Sequence, residues 1–223
     1  MSRLPSTWTL ASLKEFEKVN PQMPQFAHRM TAQTYDEFVQ TIYVELASFA
    51  RGLESDRNYF QEATENMLNS MVARHFNTLG YSAAFDKNKG GHADITVEFA
   101  DYEWIGEGKI VRSVDNSYLT KGYDQLVYRY GLGKPGANQA AVLIYSFGSD
   151  TLKVVSKWAE HLNTINGSQA GYAEEIHLPE EQEGFALQCT HRHVGGGTLT
   201  IRGVGFQLYW NPPAAASDRM GGT

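Results

Sequence analysis

The chain has 223 residues, enough for one domain with a sizeable core, and carries a formal net charge of −6. That balance argues against a protein that binds nucleic acid through bulk charge, because phosphate affinity comes largely from Lys and Arg releasing counterions. No apolar run approaches the roughly 20 residues of a membrane span. No charged-then-apolar leader opens the chain, and the one cysteine, Cys189, excludes an intramolecular disulfide framework, so the expectation is a cytoplasmic protein.

Residues 1 to 30 hold Pro5, Pro21 and Pro24 and no sustained period, which reads as a loosely packed arm. Phe38, Ile42, Leu46, Phe49 and Leu53 recur at near-helical spacing and predict an amphipathic helix over 35–53 that packs on the core. A second helix is expected from about Asn58 to Leu79, ending at Gly80, with Leu68, Met71, Val72, Phe76 and Leu79 as its apolar stripe. Ala93 to Phe99 and Glu103 to Val111 read as strands on either side of the tight Ala100-Asp101-Tyr102 region. A loop over 112–119 then leads to a helix from about Thr120 to Tyr130, on which Gln125, Tyr128 and Arg129 share a face. The continuous apolar run Ala140 to Phe147 reads as a strand covered on both sides, and Asp150 as the cap of a helix reaching Asn163. Gly184 to Thr190 and Thr198 to Trp210 read as a C-terminal β-hairpin across Gly195-Gly196-Gly197, and the Ala- and Gly-rich stretch 212–223 as a disordered tail.

Chemistry concentrates in the two strands that flank Ala100. A hairpin centred between Ala100 and Asp101 pairs Asp94 with Glu107, and directly opposed residues share a face with Cβ atoms roughly 4.5 to 5.5 Å apart. The period of two adds Lys109 to that face and turns Gly108 away. Two carboxylates so close cost energy unless a divalent cation neutralises them, and a hard ion such as Mg²⁺ suits carboxylate oxygens. Glu107 also lies among Trp104, Ile105, Ile110 and Val111, in a strand that looks buried on both faces, where a charge needs a partner or a task. His92, two residues from Asp94, faces Lys109 in the same hairpin. The alternative for such acids and a lysine is ordinary cross-strand pairing on a solvated hairpin.

Asp94 followed by Glu107-Gly108-Lys109 resembles the motif of the PD-(D/E)XK nuclease superfamily. The resemblance covers roughly residues 58 to 165. It implies an α/β, restriction-endonuclease-like core: a helix, a three-stranded antiparallel meander, a helix and a strand parallel to its neighbour, in a mixed central sheet flanked by helices. Residues 1–57 would be an N-terminal helical extension and 58–211 the nuclease domain. By the same resemblance Asp94 and Glu107 would bind Mg²⁺ or Mn²⁺, with the carbonyl of Gly108 or Ile110 as a further ligand, and Lys109 would assist the attacking water. Glu65 would supply a third acid from the first nuclease helix, with Glu62 as the alternative, and Gln125 would support the site, with Tyr128 beside it in a loose form of a glutamine–tyrosine pattern. Gly108 departs from the larger residue common at that place and suggests close approach by DNA or another chain.

The resemblance implies DNA as the partner, an endonuclease activity, and a setting in bacterial restriction or anti-phage defence, as a homo-oligomer or within a larger complex. Lys109, Arg112, Lys121, Arg129 and Lys134 against Asp115 and Asp124 would form a basic lip near the site, while acids gather at Glu174, Glu175, Glu180, Glu181 and Glu183. Two alternatives stand beside this reading: a nuclease-fold module without catalysis that binds DNA or assembles a complex, and a hydrolase of small phosphate esters, for which no phosphate-cradling glycine loop is present. His191-Arg192-His193 reads by default as a solvated hairpin tip, and otherwise as a phosphate contact.

Overall fold

A computed structural model of the chain describes residues 9–20, 26–88, 91–168, 175–177, 186–193 and 195–211. The predicted tail over 212–223, and most of the acidic stretch over 174–183, lie outside the described residues.

The described parts of the arm are helical. Helix α1 (Leu10–Val19) starts on a capping box between Thr9 and Ser12, and α2 (Phe26–Met30) is tied to it through Glu17, whose Oε2 accepts from the Ala27 amide at 2.9 Å. Helix α3 (Tyr35–Ser55) begins where the Thr34 hydroxyl accepts from Glu37 N, and it buries Phe38, Ile42, Leu46 and Leu53 as the spacing predicts. The expected helix over 58–79 is two pieces. A 3₁₀ turn, Arg57–Phe60, precedes α4 (Glu65–Thr78), because Thr64 in extended conformation accepts from Met67 N and starts a new helix. Leu68, Val72 and Phe76 face inward from α4, and Gly80, at φ +93°, takes the chain out of it.

Among the described residues the sheet has seven strands in the order β1-β2-β3-β4-β7-β6-β5. Strands β1 (Ser82–Asn88), β2 (His92–Phe99) and β3 (Tyr102–Val111) form an antiparallel meander. The register runs from Phe99↔Tyr102 to Ile95↔Gly106, as a hairpin centred between Ala100 and Asp101 requires. After α5 (Asn116–Gln125) and a π turn (Leu126–Tyr130), β4 (Gln139–Ser146) runs parallel to β3. Its Ala140 to Ser146 are all buried, which accounts for the unbroken apolar run. Helix α6 (Thr151–Ser168) follows, with Lys153 N bonded to the expected cap, Asp150 Oδ1, at 2.8 Å. Strand β5 (Glu175–His177), β6 (Ala186–Arg192) and β7 (Thr198–Gln207) complete the sheet.

The C-terminal hairpin is integral to the sheet, because β7 pairs with β4 in parallel from Gln139↔Thr200 to Ser146↔Gln207. The mixed sheet separates two apolar layers. On one face α3 and α4 set Phe38, Leu46 and Phe76 against Ile95, Trp104 and Leu143. On the other, α5 and α6 set Leu119, Tyr123 and Trp158 against Ile105, Val142 and Ile201. Each fully buried side chain of this size stabilises the fold by roughly 1.5–3 kcal/mol before entropy is counted. Among the described residues no helix is long and apolar enough to cross a membrane.

Candidate functional site

Beyond Ile95↔Gly106 the β2–β3 ladder stops, while β3 continues beside β4 as far as Val111. A strand edge released in this way leaves backbone N–H groups that need acceptors. Two carboxylates supply them. Asp94 Oδ2 accepts from Gly108 N at 2.9 Å, and Glu65 Oε2 accepts from Ile110 N at 2.9 Å. Glu65 is the first residue of α4, so the Thr64 cap that starts the helix also sets this acid against the strand. It takes a further hydrogen bond from the Tyr118 hydroxyl, at 2.9 Å.

Glu107 and Lys109 alternate with these glycine and isoleucine amides and turn to the α5 face. Both are almost wholly buried, at 1% and 5% exposure. Gly122 of α5 covers them: a Cβ there would lie 3.0 Å from Lys109 Cε and 3.3 Å from Glu107 Cγ. Lys109 Nζ lies 2.7 Å from Glu107 Oε1, 3.0 Å from the Gly108 carbonyl oxygen and 3.7 Å from Glu65 Oε1. The Tyr118 ring stands 5.5 Å from the same ammonium. Burial raises the Asp94 pKa, although Lys109 and the Gly108 amide pull it down. Burial also pushes Glu107 up to about 7, against the attraction of Lys109 and with the repulsion of Asp94 added. For Lys109 burial alone would lower the pKa, but Glu107, Glu65 and Asp94 together hold it above the ordinary lysine value.

Gly108 is explained by Asn69. A Cβ at position 108 would lie 2.0 Å from Asn69 Oδ1, so only glycine fits beside this buried amide of α4. The Tyr145 hydroxyl of β4 donates to the same oxygen at 2.9 Å. Asn69 Nδ2 meets no acceptor in hydrogen-bond geometry, yet the amide lies near enough to Asp94 to favour its ionised form. The close approach expected at Gly108 is therefore made by a side chain of this same chain.

Asp94, Glu107, Lys109 and Glu65 are brought together, and the Gly108 carbonyl points at the ammonium. Glu62 lies exposed in the turn before α4, away from them. Gln125 sits further along α5, where its amide donates to the Tyr130 hydroxyl at 3.2 Å and not to any of the acids. His92 does not face Lys109. With the strands diverged it is exposed and pairs with Asp86 at 2.9 Å. His191 is not at a solvated tip but buried in β6, with its ring against Tyr123 and Tyr128. Two residues at the site were not foreseen, Asn69 and Tyr118. Apolar spacing alone leaves Tyr118 in a loop, whereas the cap at Asp115, whose Oδ1 accepts from Tyr118 N, starts α5 earlier.

Among the described residues no group of three or more His, Cys, Asp or Glu side chains is gathered as a metal-ligating set. The donor chemistry nevertheless suits a hard divalent ion. Among the described residues Glu107 Oε2 is buried without a hydrogen-bond partner, Asp94 and the Gly108 carbonyl offer further oxygens in the same cluster, and one ammonium faces three carboxylates. Comparison of the chain with protein-family models, with curated proteins and with solved structures gives no match.

Proposed function

We propose that the chain is a metal-dependent nuclease that hydrolyses DNA phosphodiester bonds, an endonuclease of the PD-(D/E)XK kind using Mg²⁺ or Mn²⁺. The observation that carries this reading is the buried Glu107 with an unpartnered oxygen, set against Lys109 at the released edge of β3 where Asp94 and Glu65 converge. A buried acid left half satisfied costs stability, and such groups cluster at functional sites. The order of α4, the β1-β2-β3 meander, α5 and the parallel β4 is also the order that the motif resemblance implies.

In this reading Asp94, Glu107 and the Gly108 carbonyl would hold the ion, with Glu65 as the further acid. Such an ion, when bound, polarises a phosphoryl oxygen and lowers the pKa of water. Lys109 is held protonated by the acids around it, so it acts as hydrogen-bond donor and counter-charge rather than as general base. The ammonium would orient the attacking water and offset charge on the phosphorane: the water oxygen bonds to phosphorus and gives its proton to solvent, the ester P–O bond breaks, and the leaving oxygen takes a proton from solvent. Gly122 excludes water from the buried side of Glu107 and Lys109. A setting in restriction or anti-phage defence rests on the resemblance alone.

One observation favours a module without catalysis: Lys109 already sits within 3.7 Å of both Glu107 and Glu65 and neutralises part of their charge with no metal. Cleavage of supercoiled plasmid and of single-stranded DNA in Mg²⁺, Mn²⁺ or EDTA, beside Glu107→Gln and Lys109→Ala, decides between the two. Metal-dependent cutting that falls at least ~100-fold in either variant is expected, from the weight of one preorganised charged group. Absence of cutting together with absence of Mn²⁺ binding would discard the enzyme and leave the module.

A further inference from the structure

We propose that the outer face of α5 and the π turn beyond it form a groove for unpaired nucleotides, in which the Tyr128 ring stacks on a base and Lys121 and Arg129 hold flanking phosphates. This rests on the phosphodiester reading of the acid cluster and adds the part of the substrate bound beside it. A cavity of about 530 Å³ is lined by Lys121, Asp124, Gln125, Tyr128 and Arg129. Its size lies within the range of sites that enclose a small ligand. Two cations against one acid give it a positive balance in a chain whose net charge is −6.

Tyr128 is 59% exposed, yet its ring is positioned. His191 meets it edge-on at 6.0 Å and 86°, and His191 is itself buried against Tyr123 at 6.2 Å. A tyrosine braced from behind and open in front is a stacking platform that loses little entropy when a base arrives. The backbone that presents it is unusual. Gly131 N donates to Leu126 O at 2.8 Å, closing the π turn, and a Cβ on Gly131 would lie 2.6 Å from that oxygen and 2.7 Å from Leu199 Cδ2. Single π turns within helices are rare and recur at functional sites.

The groove starts one helical turn from the acids. Tyr118, which bonds Glu65, and Gly122, which covers Glu107 and Lys109, share one side of α5 with Lys121 and Gln125 by i, i+3 and i+4 spacing. From Gly122 to Tyr128 the helix rises roughly 9 Å. That is about two to three stacked nucleotides at ~3.4 Å each. In a duplex the base faces are covered by their neighbours, so a protruding ring selects unpaired bases.

Fluorescence anisotropy in EDTA with labelled dT12 and an abasic oligomer of the same length and charge tests this. Tighter binding of dT12 by ~5- to 100-fold is expected, from the stacking energy of one base on an aromatic ring. Tyr128→Ala should erase that preference and leave abasic affinity unchanged, and Tyr128→Phe should keep it. Lys121→Ala and Arg129→Ala should weaken both oligomers and each lower the log–log salt slope by about 0.7. Equal binding of the two oligomers by the wild type, no binding of either, or a preference that survives Tyr128→Ala would overturn the groove. The readout needs no cleavage: a preference without cutting and without Mn²⁺ binding would discard the nuclease reading alone, and cutting without a preference would discard the groove alone.

Discussion

Asn69 and Gly108 are matched to each other, and the match can be tested residue by residue. Gly108→Ala puts a methyl group into the space of Asn69 Oδ1 and should cost ~1–3 kcal/mol in urea unfolding, the usual cost of overpacking. Combined with Asn69→Ala, the same change should cost less than the sum of the two single losses, because the collision is removed while the Tyr145 hydroxyl loses its partner in either case. Glu107 gives a prediction in pH. Its folded pKa, about 7, lies above the ordinary 4.5, so the folded state binds the extra proton between these values. The stability that this proton confers is complete below about pH 4.5 and is lost as pH rises through 7, by up to about 1.4 kcal/mol per pH unit within the window. Metal-free protein should therefore melt at a lower temperature at pH 8 than at pH 5.5, and Glu107→Gln should flatten that slope. A slope of the opposite sign, or one unchanged in Glu107→Gln, would show that this carboxyl is not held protonated. The residue alternation that puts Glu107 and Lys109 on one face is legible in sequence because it is local. Asn69 was not, since nothing in its helical stripe tells which strand glycine it will meet; the only trace of it was the glycine itself.

At the scale of elements, caps decide more than periodicity does. Apolar spacing carries one helix through 58–79, but the Thr64 side chain ends the 3₁₀ segment's influence and begins α4 at Glu65. The cap thereby sets Glu65 against β3 and leaves Glu62 in the exposed turn before the helix. Thr64→Ala should cost ~1 kcal/mol of stability. It should also lower any metal-dependent activity, because Glu65 is the next residue and depends on that helix start for its bond to Ile110 N. Thr34→Ala, which removes the equivalent cap of α3 far from the acids, should cost similar stability with no loss of activity. Thermal melts and cleavage assays of the two variants side by side check the distinction. In the same way the Asp115 cap brings Tyr118 into α5, whereas a helix begun at Thr120 would have left it in a loop.

For the whole molecule, the C-terminal hairpin is part of the core rather than an appendage. Strand β7 lies beside β4 over eight residue pairs, and Ile201 is fully buried in the same layer as Ile144. Ile201→Ala should cost ~2–5 kcal/mol, as much as Ile144→Ala in the central strand. A loss below 1 kcal/mol in chemical denaturation would mean that the hairpin folds independently of the sheet. The sequence by itself determined the strands around Ala100, their register, the buried parallel strand and the alternation that puts Glu107 and Lys109 on one face. Those depend on a two-residue alternation and a short turn, which neighbouring residues specify. Only the tertiary structure decided that β2 pairs with β3 from Ile95 onward and not before it, so that the expected Asp94–Glu107 pair does not form, that Glu65 and Asp94 fill the vacated hydrogen-bond positions, and that His92 turns outward to Asp86. It also set Asn69 and Tyr118 against the site and tied β7 to β4. These contacts join segments tens of residues apart through the packing of both helical layers, and no local pattern of side chains specifies which distant amide, glycine or strand edge each will meet.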